Sequence, residues 1–460
     1  MLFSSITFIF LFLPVVLLLY YLLPKHGNLI LLVFSLIFYA WGEPYYILIM
    51  LTTILINYVG ARVVDKYHNK IMLAFFIVLN LSMLFYFKYF NFLIENINDL
   101  LKAKITGINV IMPIGISFYT FQALSYLIDV YKREVRVQKS LPKLALYISL
   151  FPQLVAGPIV KYHDVCSEIE NRSTDSEQFL RGIKRFIIGL SKKVLIANTL
   201  GKVVDDLFIL APEQMDSLTA WCGALFYSLQ LFFDFSGYSD MAIGIGWILG
   251  FHFLENFNYP YISHSITEFW RRWHISLSTW FRDYVYIPLG GNRKGKFRTY
   301  LNLFIVFLAT GFWHGAAWTF LIWGIWHGFF IIIEKFFNWT KASVSFVGRT
   351  VQHIYLILVV LIGWVIFRSD TLDYAWRYIK NMFGGLKNTP TNALSFYLDR
   401  TEIIIAIIGI LCSTPLFKNF ICPQKRVNVC FVNIILLVLF VLTTTRIALS
   451  TYNPFIYFRF

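Results

Sequence analysis

Runs of about twenty predominantly apolar residues recur along this chain, and the short segments between them carry much of its positive charge. A run of that length spans the hydrocarbon core of a bilayer as a helix, so the pattern limits the fold before any motif is considered. Such runs begin near residues 5, 28, 45, 71 and 108, resume at 217–233 and 240–254, and return at 353–368, 402–417 and 428–447. Only 14% of the residues are charged, where about a quarter is usual for a soluble domain. A soluble multi-domain protein is therefore excluded. The expected fold is all-α: one polytopic membrane domain over residues 1–460, with roughly 11 to 13 transmembrane or re-entrant helices, counting partial ones by span length.

The net charge of +15 would suit a nucleic-acid partner. Its distribution argues otherwise, because basic residues cluster in loops as they do on the cytoplasmic side of membrane proteins. Lys25 and His26, then Arg62, Lys66 and Lys70, then the segment YKREVRVQKSLPK mark alternate loops as cytoplasmic. The loops near residues 43 and 100 fall outside. No positive charge precedes Lys25 and no small-residue cleavage site is evident, so the first run is expected to be a retained helix. Cys166, Cys222, Cys412, Cys422 and Cys430 show no metal-type spacing and read as small buried apolar residues.

Between the runs, residues 144–160 are interrupted by Pro152, Gly157 and Pro158 and suit a re-entrant or broken helix. Residues 161–193 are polar, with an amphipathic helix entering at Phe179, and residues 186–211 suggest a lateral, partly polar helix. Asp234, Ser236, Tyr238, Ser239 and Asp240 fall at the expected junction of two spans. They would cap a helix there, line a cavity or, for a carboxylate, orient a histidine. Ser117, Tyr119, Thr120, Gln122 and Asp129 sit in a spanning segment, as cavity-lining or interhelical hydrogen-bonding groups.

Chemistry concentrates in residues 267–328, where His274, His314 and His327 each follow a tryptophan. On a continuous helix from Thr267 to Tyr286, Arg271, His274, Ser278 and Arg282 fall within about 80° of one another, opposite Phe269, Trp273 and Trp280. Such a charged stripe must face protein or water, although interfacial arginines on a horizontal helix would give the same pattern. The segment GGNRKGKFR supplies a tight cytoplasmic turn, with charge that could attract a phosphate-bearing donor. His314 lies among Gly311, Gly315, Ala316 and Ala317 in a strongly apolar run. A neutral imidazole there has the state that a general base requires. His327 lies 13 residues on, about 220° round an ideal helix, and reads as structural unless the helix breaks between them.

Several signatures are missing from the sequence: the HExxH zinc motif, the Walker phosphate loop, the G-x-S-x-G elbow, and a histidine followed five residues later by aspartate. No metal and no motif-bound cofactor is expected. No internal repeat supports a repeat-built transporter.

The segments TEFWRRWHISLSTWFRDYVYIPLGGNR, GFWHGAAW and WHG resemble the membrane-bound O-acyltransferase family, in particular its bacterial branch that O-acetylates alginate, peptidoglycan and other exopolysaccharides. FYTFQALSYLIDVYK, FPQLVAGPI and FDFSGYSDMAIGIG match the same branch. The resemblance covers about residues 5–450. It implies helices around a central funnel, His314 as the essential histidine and His274 as the second. Arg271, Arg282, Ser278 and Trp313 are then expected to hold the donor. It further implies acetyl-CoA as cytoplasmic acyl donor, a multi-pass location in the bacterial inner membrane, a cell-wall or exopolysaccharide acceptor, and often a separate periplasmic or surface acyltransferase of the SGNH type. Two alternatives stay open at this point. One is D-alanyl transfer to teichoic acid from a carrier protein, since that branch shares the WRRWH helix. The other is a transporter whose buried polar groups form a path without chemistry.

Overall fold

The computed structural model describes every residue except 109, 156, 341–342, 387–389, 391, 418–425, 451 and 455–460. Cys422 lies outside the described residues. The described elements are all helical. Among the described residues, five helices are long and apolar enough to cross a membrane: Ile47–Tyr67, Lys70–Lys88, Trp318–Phe336, Phe346–Arg368 and Val429–Leu449. Phe8–Leu22 and Pro24–Gly42, bent by 109° at Leu23, together make a sixth candidate. Many of the other runs form helices that are shorter or more polar than a full span, such as Leu141–Ser149 and Arg400–Cys412. The protein is a multi-pass membrane protein.

The chain divides into two compact units, Met1–Phe186 with Tyr238–Glu255, and Ile187–Gly237 with Asn256–Phe460. In the first, helices Ile47–Tyr67 and Lys70–Lys88 are joined by a buried amide pair. Asn57 Nδ2 donates to Asn80 Oδ1 at 2.8 Å. Each amide also bonds a carbonyl four residues back, so neither is left unsatisfied in the apolar interior. The rings of Phe3, Phe8, Phe12, Phe38 and Phe151 pack together at the N-terminus. The 144–160 segment is broken as its prolines predict. Helix Leu141–Ser149 ends, and the short turn Phe151–Leu154 follows. Tyr147 closes the break by donating to the Val160 carbonyl at 2.9 Å. Asp129 meets His163 at 3.2 Å and is thus paired at the segment's polar edge. The Gln122 side chain is fully buried without a hydrogen-bond partner among the described residues, which leaves cavity lining, not interhelical bonding, as the expected role it fits.

The region 217–254 departs from the expected pattern. The runs 217–233 and 240–254 are not two spans meeting at a junction. Ser217–Ile248 is a single 32-residue helix. It contains no proline, and its carboxylates are satisfied laterally instead of capping a turn. Asp234 pairs with Lys193 at 2.6 Å, and Asp240 with Arg185 at 2.8 Å. Both cations come from the helical stretch that begins at Ser176 and continues through Lys192–Ala197. The expected lateral helix, 186–211, thus supplies Lys193, and the helical turn just before it supplies Arg185, as counter-charges for the carboxylates.

In the second unit, Lys296–His314 and Trp318–Phe336 form a tight helical hairpin. Gly311 and Gly324 face each other so closely that a β-carbon on either would come within 2.4 Å of a backbone oxygen of the other helix. Small residues at such a crossing let two backbones approach in a membrane. Phe346–Arg368 packs along the hairpin, with the Trp326 indole donating to the Val359 carbonyl at 2.9 Å.

Candidate functional site

The expected continuous helix from Thr267 to Tyr286 does not form. Helix Ile266–Arg272 ends at Trp273, and a second helix runs Ile275–Phe281. Between them His274 adopts a left-handed backbone, φ 44° and ψ 55°. For an L-residue other than glycine this costs on the order of 1–3 kcal/mol and persists only where its surroundings enforce it.

Asn256 is the enforcing residue. Its backbone carbonyl accepts from Ile275 N at 2.9 Å. Its side-chain oxygen accepts from Ser276 N at 3.1 Å and Ser276 Oγ at 2.9 Å, and lies 3.2 Å from His274 Nδ1. The Ser276 amide can only donate, which identifies the Asn256 atom as oxygen. His274 Nδ1 must then carry the hydrogen, leaving Nε2 as the lone-pair end of the neutral ring. The ring is buried, and the rings of Phe257, Phe235 and Trp313 lie 6.2–6.5 Å from it. Enclosure of this kind favours neutral imidazole over imidazolium.

The break also dissolves the polar stripe. Arg271 is exposed, and Arg282 is exposed and pairs with Asp283 at 2.7 Å. Neither joins His274 in a buried row. Ser278 is half-buried in the second helix, its amide donating to the His274 carbonyl at 3.0 Å. Trp273 and Phe269 turn inward and pack on Trp364, at 4.9 Å and 6.3 Å.

His314 is the last residue of helix Lys296–His314, and Gly315 leaves the helix in an extended conformation. The imidazole is buried against Trp323 at 4.9 Å, Trp313 at 5.0 Å and Phe367 at 5.2 Å. Trp313 thus neighbours both histidines, 5.0 Å from His314 and 6.4 Å from His274. The helix is interrupted at Gly315–Ala317, so the 220° argument for a continuous helix does not apply. His327 packs on the same Trp323 ring at 5.2 Å. It is fully buried, touches Trp270 at 5.2 Å, and neither ring nitrogen has a hydrogen-bond partner among the described residues.

Arg293 and Lys294 are exposed on the turn before this hairpin, which Gly290, Gly291 and Gly295 shape with positive φ, and Lys296 is exposed at the start of its first helix. Among the described residues no three His, Cys, Asp or Glu side chains come together as a metal site. The site is two buried imidazoles in an aromatic shell, groups suited to proton transfer and hydrogen bonding. Sequence reasoning missed Asn256, which lies 18 residues from His274 in an irregular segment with no motif. It also missed Glu334, a carboxylate near the end of an apolar run that the intramembrane-charge rule would have flagged.

A model of the membrane-bound O-acyltransferase family matches residues 130–372. The chain is 39% identical over its full length to the full length of the probable alginate O-acetylase AlgI of Azotobacter vinelandii. It is 35% identical to the peptidoglycan O-acetyltransferase of Helicobacter pylori, over 91% of this chain and 87% of that one. The teichoic acid D-alanyltransferase of Bacillus subtilis is 32% identical over 51% of this chain and 62% of its own. With both histidines inside the matched region and full-length similarity to O-acetylating relatives, the chain belongs to the membrane-bound O-acyltransferase family.

Proposed function

We propose that this enzyme O-acetylates an extracytoplasmic polysaccharide, taking the acetyl group from acetyl-CoA on the cytoplasmic side of the bacterial inner membrane. His314 removes the proton of the acceptor hydroxyl. The oxygen bonds to the thioester carbonyl carbon, the carbon–sulfur bond breaks, and the CoA thiolate leaves with the proton held by His314. His274 Nε2 orients the acceptor or takes part in the proton path, since Asn256 occupies its other nitrogen. The acetyl group reaches the polymer directly or through a separate surface acyltransferase of the SGNH type. The exposed basic turn at Arg293, Lys294 and Lys296 suits attraction of the CoA phosphates. Arg271 and Arg282, both exposed, suit the same electrostatic role better than contact with the reacting carbonyl.

The observation that carries this reading is the burial of His314 and His274 around one tryptophan, Trp313, in a chain whose full-length relatives are named O-acetylases. Similarity to the D-alanylating relative extends over only half of the chain, which gives that reading less support. The test is replacement of His314 by Ala. Ester-linked acetate on the surface polymer is then measured in cells whose only copy is the variant. A general base supplies roughly 10²–10⁴-fold in rate, so acetylation should fall to background with the protein normally inserted. Undiminished acetylation would remove His314 from the mechanism. Release of CoA thiol from acetyl-CoA by purified protein with acceptor separates this reading from a transporter.

A further inference from the structure

The helix carrying Trp323 and His327 ends in a charged residue that the reaction as written does not use. Glu334 is fully buried near the end of Trp318–Phe336. Its Oε1 accepts from Ile266 N at 2.5 Å. Its Oε2 accepts from Thr267 N at 2.9 Å and Thr267 Oγ1 at 2.7 Å. The next amide, Glu268 N, donates to Ser265 Oγ at 3.0 Å. The first three amides of helix Ile266–Arg272, which have no partner within the helix, are thereby all satisfied. Two of them depend on a carboxylate 67 and 68 residues away.

That short helix leads straight into the strained His274. The turn beyond its far end, at His274–Ser276, is held by Asn256, as described above, and its near end is held by Glu334. Trp270, on the same helix, packs on His327 at 5.2 Å and Trp323 at 5.6 Å. Trp323, His327 and Glu334 share one face of their helix, spaced by four and seven residues. The same face also packs against His314, through Trp323 at 4.9 Å. One helical face therefore touches the His314 ring at one end and grips the root of the His274 segment at the other.

We infer that Glu334 is a positioning residue for the acyl-transfer site: its carboxylate locks helix Ile266–Arg272 to the His327 helix and so sets His274 in register with His314. A carboxylate suits this task better than a neutral group. It accepts from three donors at once, and its negative charge complements the positive end of the helix it holds. The inference rests on the proposed roles of His274 and His314.

Two readouts on the full chain in proteoliposomes test it. The first is amide hydrogen exchange of the 264–274 segment. Glu334→Ala should accelerate exchange there by at least about tenfold, with the Lys296–His314 helix unchanged. The second is CoA thiol release from acetyl-CoA with polysaccharide acceptor. Glu334→Ala should lower kcat by about 10²-fold, the usual effect of misplacing a catalytic group by about 1 Å, with KM for acetyl-CoA little changed. Thr267→Val removes one of the three donors and should give a smaller loss in the same direction. Glu334→Gln should fall between these two variants. In the Thr267→Val/Glu334→Ala pair the losses should not add, because Thr267 has lost its partner already. Wild-type protection of 264–274 in Glu334→Ala would overturn the clamp. So would wild-type kcat in that variant, or fully additive losses in the pair. If Glu334→Ala does not insert, Thr267→Val and Glu334→Gln carry the same test. Full turnover in His274→Ala would instead sink the reading of the site, while the exchange result would still report on the clamp.

Discussion

His274 Nδ1 lies 3.2 Å from Asn256 Oδ1, an oxygen that also accepts from both the amide and the hydroxyl of Ser276. One amide side chain thus fixes the tautomer, the ring orientation and the left-handed backbone of the histidine. Replacing Asn256 by Ala should remove the first two constraints and weaken the third, since the Asn256 carbonyl would still accept from Ile275 N. We expect turnover to fall by about 10–100-fold, consistent with small misplacements of a catalytic group. The unsatisfied Ser276 amide should cost about 1–3 kcal/mol of stability. Polymer acetylation and thermal unfolding of the same preparation check both effects. Full activity in Asn256→Ala would show that His274 does not need this anchor.

The hairpin that carries His314 depends on the approach of Gly311 to Gly324. A β-carbon on Gly311 would sit 2.4 Å from the Phe320 carbonyl, and one on Gly324 2.4 Å from the Phe307 carbonyl. Backbone atoms cannot turn aside as a side chain can, so the helices must separate. Gly311→Ala or Gly324→Ala should therefore lower both the melting temperature and the transfer rate, the latter by about tenfold or more. A variant with unchanged melting and unchanged rate would contradict this packing.

Lys193 and Asp234 form a pair in which both side chains are almost fully buried, 3% and 1% exposed. Removing one partner leaves a buried charge uncompensated, which costs about 3–5 kcal/mol. Lys193→Met alone and Asp234→Leu alone should each reduce the yield of folded protein. The double variant should recover much of it, since an apolar pair of similar volume is often neutral. Size-exclusion profiles of the three proteins distinguish these outcomes, and a double variant worse than either single one would refute the pairing.

His163 supplies a pH dependence. Its hydrogen bond to Asp129, and then that to Asp164, raise its pKa from the ordinary 6.5 to about 10. Because the folded value is above the unfolded one, the contribution to stability is fully present below about pH 6.5. It fades as pH rises through about 10. The ring is 41% exposed, so solvent screening makes the effect modest. Melting curves of wild type and His163→Asn should differ most below neutral pH and converge toward pH 10. A gap that widened with pH would reverse the assignment.

Much of the membrane architecture was legible in the chain itself. The apolar runs after residues 45 and 71 became the helices Ile47–Tyr67 and Lys70–Lys88, and Pro152 broke its segment as expected. These features are local: run length sets a span, and a missing amide ends a helix. The run at 217–254 misled because Asp234 and Asp240 resemble a turn when their partners are not visible. Lys193 and Arg185, 41 and 55 residues away, make those charges tolerable inside one long helix.

The residue types of the site were equally legible, and their geometry was not. The sequence alone determined that His274, His314 and their tryptophans belong to one stretch of a polytopic membrane protein, because spacing and composition are properties of the chain; the acyltransferase reading came from the resemblance of its motifs. A period of 3.6 residues placed Arg271, Ser278 and Arg282 beside His274 only on the assumption of an unbroken helix. Tertiary contacts decided otherwise. Asn256 stabilises a left-handed residue at 274, and Glu334 holds the preceding helix by its first amides. Both act through hydrogen bonds between residues distant in sequence, 18 residues in one case and 68 in the other. No local periodicity encodes such a bond. What the fold added was the enclosure of two imidazoles around Trp313, with Asn256 on one side and the Trp323 face of the hairpin on the other.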